Sequence, residues 1–271
     1  NDVNTTLTSS TTVAVSGEAS QFRTGVITTG VKDTIKGLIC DATIYVDTTA
    51  NPRTITIVYN GNNCQLTRTR TGTIVISVPV GVHWHDKGAA ITVDVQNLKV
   101  TRVLDNKSIT INGKHVYTNV SGGSLINLAT SGPIVHTITS DNMSITFDNG
   151  SQRTWQIARQ RTYSYSNGIV VSEAGFHSDG THSDISEWGS NRFGNPFTVR
   201  ISQPLTIKQS CNFQLTGGQA SLINSVGTTT ITFGLDAQGN ASSCPLQGGS
   251  YYFKLVFTGT GGRSYTFILP Y

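Results

Sequence analysis

A chain of 271 residues with 13% charged side chains and a formal net charge of +4 can bury a substantial core, but it carries no basic block for nucleic acid. Soluble domains average roughly 25% charged residues; here Thr, Ser, Asn and Gly take that place. No stretch approaches the roughly 20 apolar residues that cross a bilayer as a helix, so no transmembrane segment is expected.

The sequence opens at Asn1 without a signal-peptide pattern, which reads as a mature, processed chain. In "TTLTSSTTVAVSG" the residues Thr5, Leu7, Ser9, Thr11, Val13 and Val15 share one face of an extended strand, because strand side chains alternate with period two. An uncharged alternating segment at a chain end is suited to pairing with a sheet edge. Residues 1–20 are therefore expected to form an extension strand that either pairs within its own domain or adds to a neighbour's sheet, with Leu7, Val13 and Val15 as its apolar contacts in the second case.

A unit of strand, turn, strand, cysteine, strand follows. It runs from Cys40 through "ATIYV", a turn at Pro52 and "RTITIVYNGNNC" to Cys64, then "TGTIVISV". The same order returns from Cys211 through "NFQLTGG" and "TTTITFGLDAQGNASSC" to Cys244. Each cysteine pair is symmetric about its turn, so a hairpin brings the two to its open end. Cys40–Cys64 and Cys211–Cys244 are the expected disulfides of an oxidising compartment, with structural zinc excluded by the absence of CxxC or paired Cys/His spacing. Further along "RTRTGTIVISV", Arg68 and Arg70 lie in phase with Ile74, Ile76 and Val78. Charge at the end of an apolar face reads as a strand leaving the core, with the arginine heads reaching water.

Alternation continues in "AAITVDVQNLKVTRVL", "VHTITSDNMSITFDNG" and "FTVRISQPLTI", punctuated by Asn-Gly at 60–61, 112–113, 149–150 and 167–168. These are hairpin signals, and no window carries a helical stripe. The expected fold is all-β, an antiparallel sandwich of two related units stacked end to end, residues 21–130 and 131–271. Within the second unit, "WQIARQRTYSY" sets Trp155, Ile157, Arg159, Arg161, Tyr163 and Tyr165 on one face. That face is either a core rim or an aromatic and guanidinium platform for a glycan or surface partner.

"GVHWHD" offers His83, His85 and Asp86, and "FHSDGTHSD" offers His177, Asp179, His182 and Asp184, with Glu187 beyond. Imidazole and carboxylate suit zinc-like ions, but neither segment matches HExxH or a calcium loop. Both are read as polar loops, so no metal and no cofactor is expected. No GxSxG elbow is present and no carboxylate pair stands out, so no catalytic residue is assigned.

"PRTITIVYNGNNCQLTRTRTGTIVIS", "ITFDNGSQRTWQIARQRTYSYSNGI" and "QPLTIKQSCNFQLTGG" resemble secreted, frequently lipid-anchored β-rich surface proteins of Bacteroidota. That resemblance implies an envelope or extracellular location and no particular activity. It also marks "DTI" and "DTT", with Thr34 and Thr48, as matches to the short pattern that this phylum glycosylates. Since Bacteroidota build filaments from processed lipoproteins, it adds weight to self-association. The expectation is a non-enzymatic extracellular subunit of a filament, pilus or adhesin. A glycan-binding module is the alternative, and a secreted hydrolase comes third.

Overall fold

The computed structural model describes residues 33–35, 39–244 and 251–271; the proposed assembly strand, with Leu7, Val13 and Val15, lies outside them. The first strands are β1 (Asp33–Ile35), β2 (Ala42–Asp47), β3 (Arg53–Asn62), β4 (Arg68–Val78), β5 (Ala89–Arg102), β6 (Ser108–Asn119), β7 (Ile134–Phe147) and β8 (Gln152–Tyr165). There follow β9 (Ile169–Gly175), β10 (Ile185–Ser190), β11 (Pro196–Lys208), β12 (Gln214–Asn224), β13 (Gly227–Leu235), β14 (Tyr252–Gly259) and β15 (Ser264–Pro270). Among the described residues the only α-helix is one turn, α1 (Leu128–Ser131).

The class is all-β and antiparallel, as the alternation predicts. All fifteen strands hydrogen-bond into one sheet that follows chain order from β1 to β15. The expected division at residue 130 falls in the β6–β7 connection, and these two strands pair from Ile109↔Phe147 to Asn119↔His136. The backbone ladder is therefore continuous across residue 130. Alternation specifies which residues face inward, but it does not specify where one sheet ends.

One lane is shared. The first half of β8 pairs with β10 (Thr154↔Ser190 to Ile157↔Glu187) and the second half with β9 (Arg159↔Gly175 to Tyr165↔Ile169). On the far side β11 pairs with both. Residues 176–184 leave this lane as a small excursion closed by the His177↔Ile185 bridge. Gly175 sits at the crossing, where a Cβ would lie 2.2 Å from the Asp184 carbonyl oxygen.

A staggered line of bulges crosses β4 to β7. Gly72, at φ +116°, lies against Asn97 of β5, and Gly113, at φ +132°, lies against Asn142 of β7. The Asn112 side chain accepts from the Asn97 N–H at 2.7 Å, and Asn142 accepts from Lys114 N–H at 3.1 Å. The Asn-Gly pairs at 60–61 and 112–113 fall inside β3 and β6, the first in regular pairing with β4 and the second at a bulge. Only those at 149–150 and 167–168 occupy turns. Glycine's freedom at positive φ serves a bulge as well as a turn, and bulges bend a sheet.

The core lies on one face, from Ile44 in β2 to Phe197 in β11, with Val93, Ile111 and Met143 fully buried at its centre. Burial this complete needs a cover, and long twisted sheets curl to supply one. The cysteines pair as Cys40–Cys64 and Cys211–Cys244, each with Cα atoms 5.2 Å apart. Each pair clamps the open end of a hairpin, β2–β3 and β12–β13. Replacing Cys40 and Cys64 by alanine is expected to lower stability by about 3 kcal/mol, from the entropy returned to the unfolded chain. Urea titration measures the loss, and non-reducing peptide mapping should recover the 40–64 and 211–244 links in the parent.

Candidate functional site

The arginines that read as rim or platform are held by carboxylates. Arg70 donates from Nε to Asp41 Oδ2 at 2.7 Å and from Nη2 to Asp41 Oδ1 at 2.6 Å. Its guanidinium also lies over the Tyr59 ring, 4.6 Å from the centroid. Asp41 is buried beside Cys40, so this head turns inward and does not snorkel.

The β8 face forms a ladder of charge. Arg153 donates to Glu187 Oε2 at 3.0 Å, and Arg159 donates to the other oxygen of Glu187. Arg159 reaches Glu173 Oε1 at 3.2 Å, and Arg161 reaches Glu173 Oε2 at 2.6 Å. Glu187 belongs to β10 and Glu173 to β9, so the ladder joins β8 to both halves of the shared lane. Burial pushes the Glu173 carboxyl up, but Arg159 and Arg161 outweigh it and leave it below the usual range.

Trp155 is buried, with Arg153 stacked over it at 4.9 Å. Tyr163 meets the edge of His136 at 4.9 Å, and only Tyr165 is largely exposed. Of the predicted platform, then, the two arginines are engaged with carboxylates and Trp155 is core. Sequence reasoning missed Glu173 and Glu187 as partners because the pairing depends on the shared lane.

The second histidine-rich segment is divided among separate tasks. His177 stacks on Trp188 at 3.8 Å. Asp179 accepts from the N–H groups of Thr181 and His182, and Asp184 forms a double hydrogen bond with Arg200. His83, His85 and Asp86 remain together on the β4–β5 loop. Thr48 is exposed in the β2–β3 connection, and Thr34 lies in β1 opposite Tyr45.

Two surfaces were not anticipated. A cleft of about 290 Å³ lies beyond the end of the core. Its lining combines Arg68, Arg102, Lys107 and Arg192 with one carboxylate, Asp148, and with the apolar Val100, Ile109 and Phe147. Arg192 stacks on Phe147 at 4.7 Å, and Arg102 is bound to Asp105. The cations come from three separate segments, β4, the β5–β6 hairpin and the β10–β11 connection, so only the phase of Arg68 hinted at the cleft.

The second surface is the far end of the sheet. One row runs Phe267, Leu255, Ile231, Ala220, Ile201, and the next runs Tyr265, Phe257, Thr229, Leu222, Val199. Ile201 is 5% exposed, whereas Phe267 is 52% exposed. The apolar face of the core therefore continues outward and ends open. Among the described residues β15 pairs with β14 alone, so its other backbone edge is free of any sheet partner.

Comparison of the chain with family models, curated proteins and solved structures gave no significant match. No helix among the described residues is long and apolar enough to cross a membrane.

Glu173→Gln keeps the shape of the side chain but leaves two guanidinium groups short of charge, and is expected to cost about 3–5 kcal/mol. Tyr165→Ala is expected to cost about 1 kcal/mol or less. Urea unfolding of the two variants checks the contrast.

Acid should expose the same ladder through its neighbours. Burial, then Arg159, pushes His115 from its ordinary 6.5 down to about 4. Burial, then Arg161, does the same to His136. Unfolded, each ring takes a proton near pH 6.5; folded, it stays neutral until about pH 4. The unfolded state thus binds the extra protons as pH falls between these values. Stability should drop across that window by on the order of 3 kcal/mol per ring. The carboxylate contribution of Glu173 is lost lower, as pH falls through its depressed folded value. His136→Phe, which keeps the edge contacts but cannot titrate, should flatten the slope of stability against pH between 6.5 and 4.

Proposed function

We propose that the chain is a non-enzymatic, extracellular structural protein that assembles through its sheet, as a filament, pilus or adhesin subunit. The observation that carries this reading is the open apolar end at β15. Tyr265, Phe267 and Leu269 are each about half exposed, in rows that lead directly into the core. A strand added there would complete a pattern already begun, through backbone pairing along the edge and alternate side chains along the rows.

The proposed occupant is residues 1–16 of a second copy. Those residues precede β1, at one end of the strand order, while the acceptor edge is at the other end. Such a contact joins unlike surfaces, and repeating it without closure gives a fibre. Leu7, Val13 and Val15 would continue the apolar rows. Two disulfides support an oxidising compartment outside the cytoplasm, in keeping with the surface location that the Bacteroidota resemblance implies.

Deletion of residues 1–16 is expected to give folded monomers, with a parent chain that polymerises under the same conditions. Phe267→Lys should weaken assembly from the acceptor side. Light scattering and electron microscopy read both. Continued assembly of the deleted protein, or a monomeric parent, rules out the donor strand.

The basic cleft favours a second reading, a module for acidic glycans. Here Lys107 and Arg192 would meet carboxylate or sulfate groups at the mouth of the cleft. Arg192→Ala should then weaken binding of a sulfated oligosaccharide without changing assembly.

A further inference from the structure

We infer that His83, His85 and Asp86 form a surface binding site for a late first-row divalent cation, with Zn²⁺ as its principal occupant. Nothing in the assembly reading requires this site, and it stands on different residues.

The three side chains offer one ligand atom each, and these atoms lie within 4.8 Å of one another. His83 Nδ1 is 3.5 Å from Asp86 Oδ2, and His85 Nε2 is 3.4 Å from Asp86 Oδ1. Bonds of about 2.0–2.1 Å in a tetrahedral site put neighbouring ligand atoms about 3.3 Å apart. Each histidine is near that figure from one oxygen of Asp86, His83 from Oδ2 and His85 from Oδ1, and with a single oxygen the three ligand atoms stay within 4.8 Å. The two rings lie nearly parallel, with centroids 5.4 Å apart and planes 20° from parallel, so each must turn about its side-chain torsions to aim its lone pair at a shared ion.

The backbone beneath is fixed. Trp84 turns inward, where it meets the edge of His136 at 4.9 Å, and this sends its two neighbours outward. The buried side chain of Asn119 donates to the Trp84 carbonyl at 2.8 Å, and the Gly123 N–H donates to the His85 carbonyl at 2.8 Å. Within the loop, the His83 N–H donates to Asp86 Oδ2 at 2.7 Å and the Asp86 N–H to the His83 carbonyl at 2.9 Å. Arg53 donates to the Val82 carbonyl at 2.7 Å, just upstream. A cation would therefore meet a loop whose main chain is already placed, and little ordering would oppose its binding.

The donor set sets the class of ion. Two imidazoles and one carboxylate suit zinc, nickel or copper over calcium or magnesium, which take oxygen ligands. Three protein ligands on an exposed loop leave at least one coordination position for water or for a side chain from outside.

Calorimetric titration of the full chain with Zn²⁺ tests the site. Saturable binding of one ion is expected, with affinity falling at least tenfold in His83→Ala and in His85→Ala and lost in the double variant. Asp86→Asn, which retains an acceptor for the His83 N–H, should weaken binding without disturbing the loop. Circular dichroism establishes that each variant is folded. Electron paramagnetic resonance of the Cu²⁺ form should show two coupled nitrogens, reduced to one in either single histidine variant. His182→Ala should leave Zn²⁺ affinity unchanged. Absence of saturable Zn²⁺ binding, or affinity retained in the His83→Ala/His85→Ala variant, overturns the assignment.

Discussion

The charge ladder from Arg153 to Arg161 is the interaction on which the middle of this sheet depends. At β8 the sheet changes partner in mid-strand, from β10 to β9, and the backbone ladder alone has a seam there. Glu187 on one side of the seam and Glu173 on the other are both bound by Arg159. One guanidinium therefore spans the change of partner. Ionic groups are a poor source of net stability when buried, but they penalise any arrangement that leaves one of them unpaired. A slip of β9 or β10 along β8 would do so at once. The ladder thereby fixes the register that the excursion at 176–184 would otherwise leave loose.

That choice constrains the neighbouring core. Three arginines face two glutamates, so the ladder carries a net positive charge into a buried region. His115 and His136, on β6 and β7, lie close enough for Arg159 and Arg161 to oppose their protonation. Both rings are kept neutral, and His136 serves as an aromatic spacer between Trp84 and Tyr163. The packing that holds Trp84 also orients the β4–β5 loop, so the charge ladder and the outward histidines at 83 and 85 are joined through a single side-chain stack.

Local features were legible in the sequence, and long-range pairings were not. Period-two alternation identified the strands, and symmetry about two turns identified both cysteine pairs, because a hairpin converts sequence symmetry into proximity. The phase of Arg159 and Arg161 was also correct, yet their role was not. Glu173 and Glu187 lie 14 and 28 residues from Arg159, and only the split lane brings both alongside. The Asn-Gly pair at 112–113 misled for a related reason: the same conformational freedom that makes a turn also makes a bulge, and the neighbouring strand decides between them. The basic cleft draws on segments more than 100 residues apart, which no local pattern encodes.

Among the described residues the two ends of the sheet are unequal. Sheet edges are normally guarded by charge, by bulges or by short strands. At the first end, β1 pairs over three described residues. At the other end, β15 pairs with β14 over seven residues without a register shift, and "SYTFILP" contains no charged side chain. Its one guard is Pro270, at the last position. The opposite face of this region is treated differently: Ser221 bonds to Thr230, Gln219 to Thr232, and Thr258 to Ser264, a polar surface that can meet water. A sheet that wets one face with hydroxyl ladders, and leaves aromatic rows in phase with its core on the other, is asymmetric in a way that solubility alone does not require. An uncharged edge of this kind is the form that β-strand addition uses.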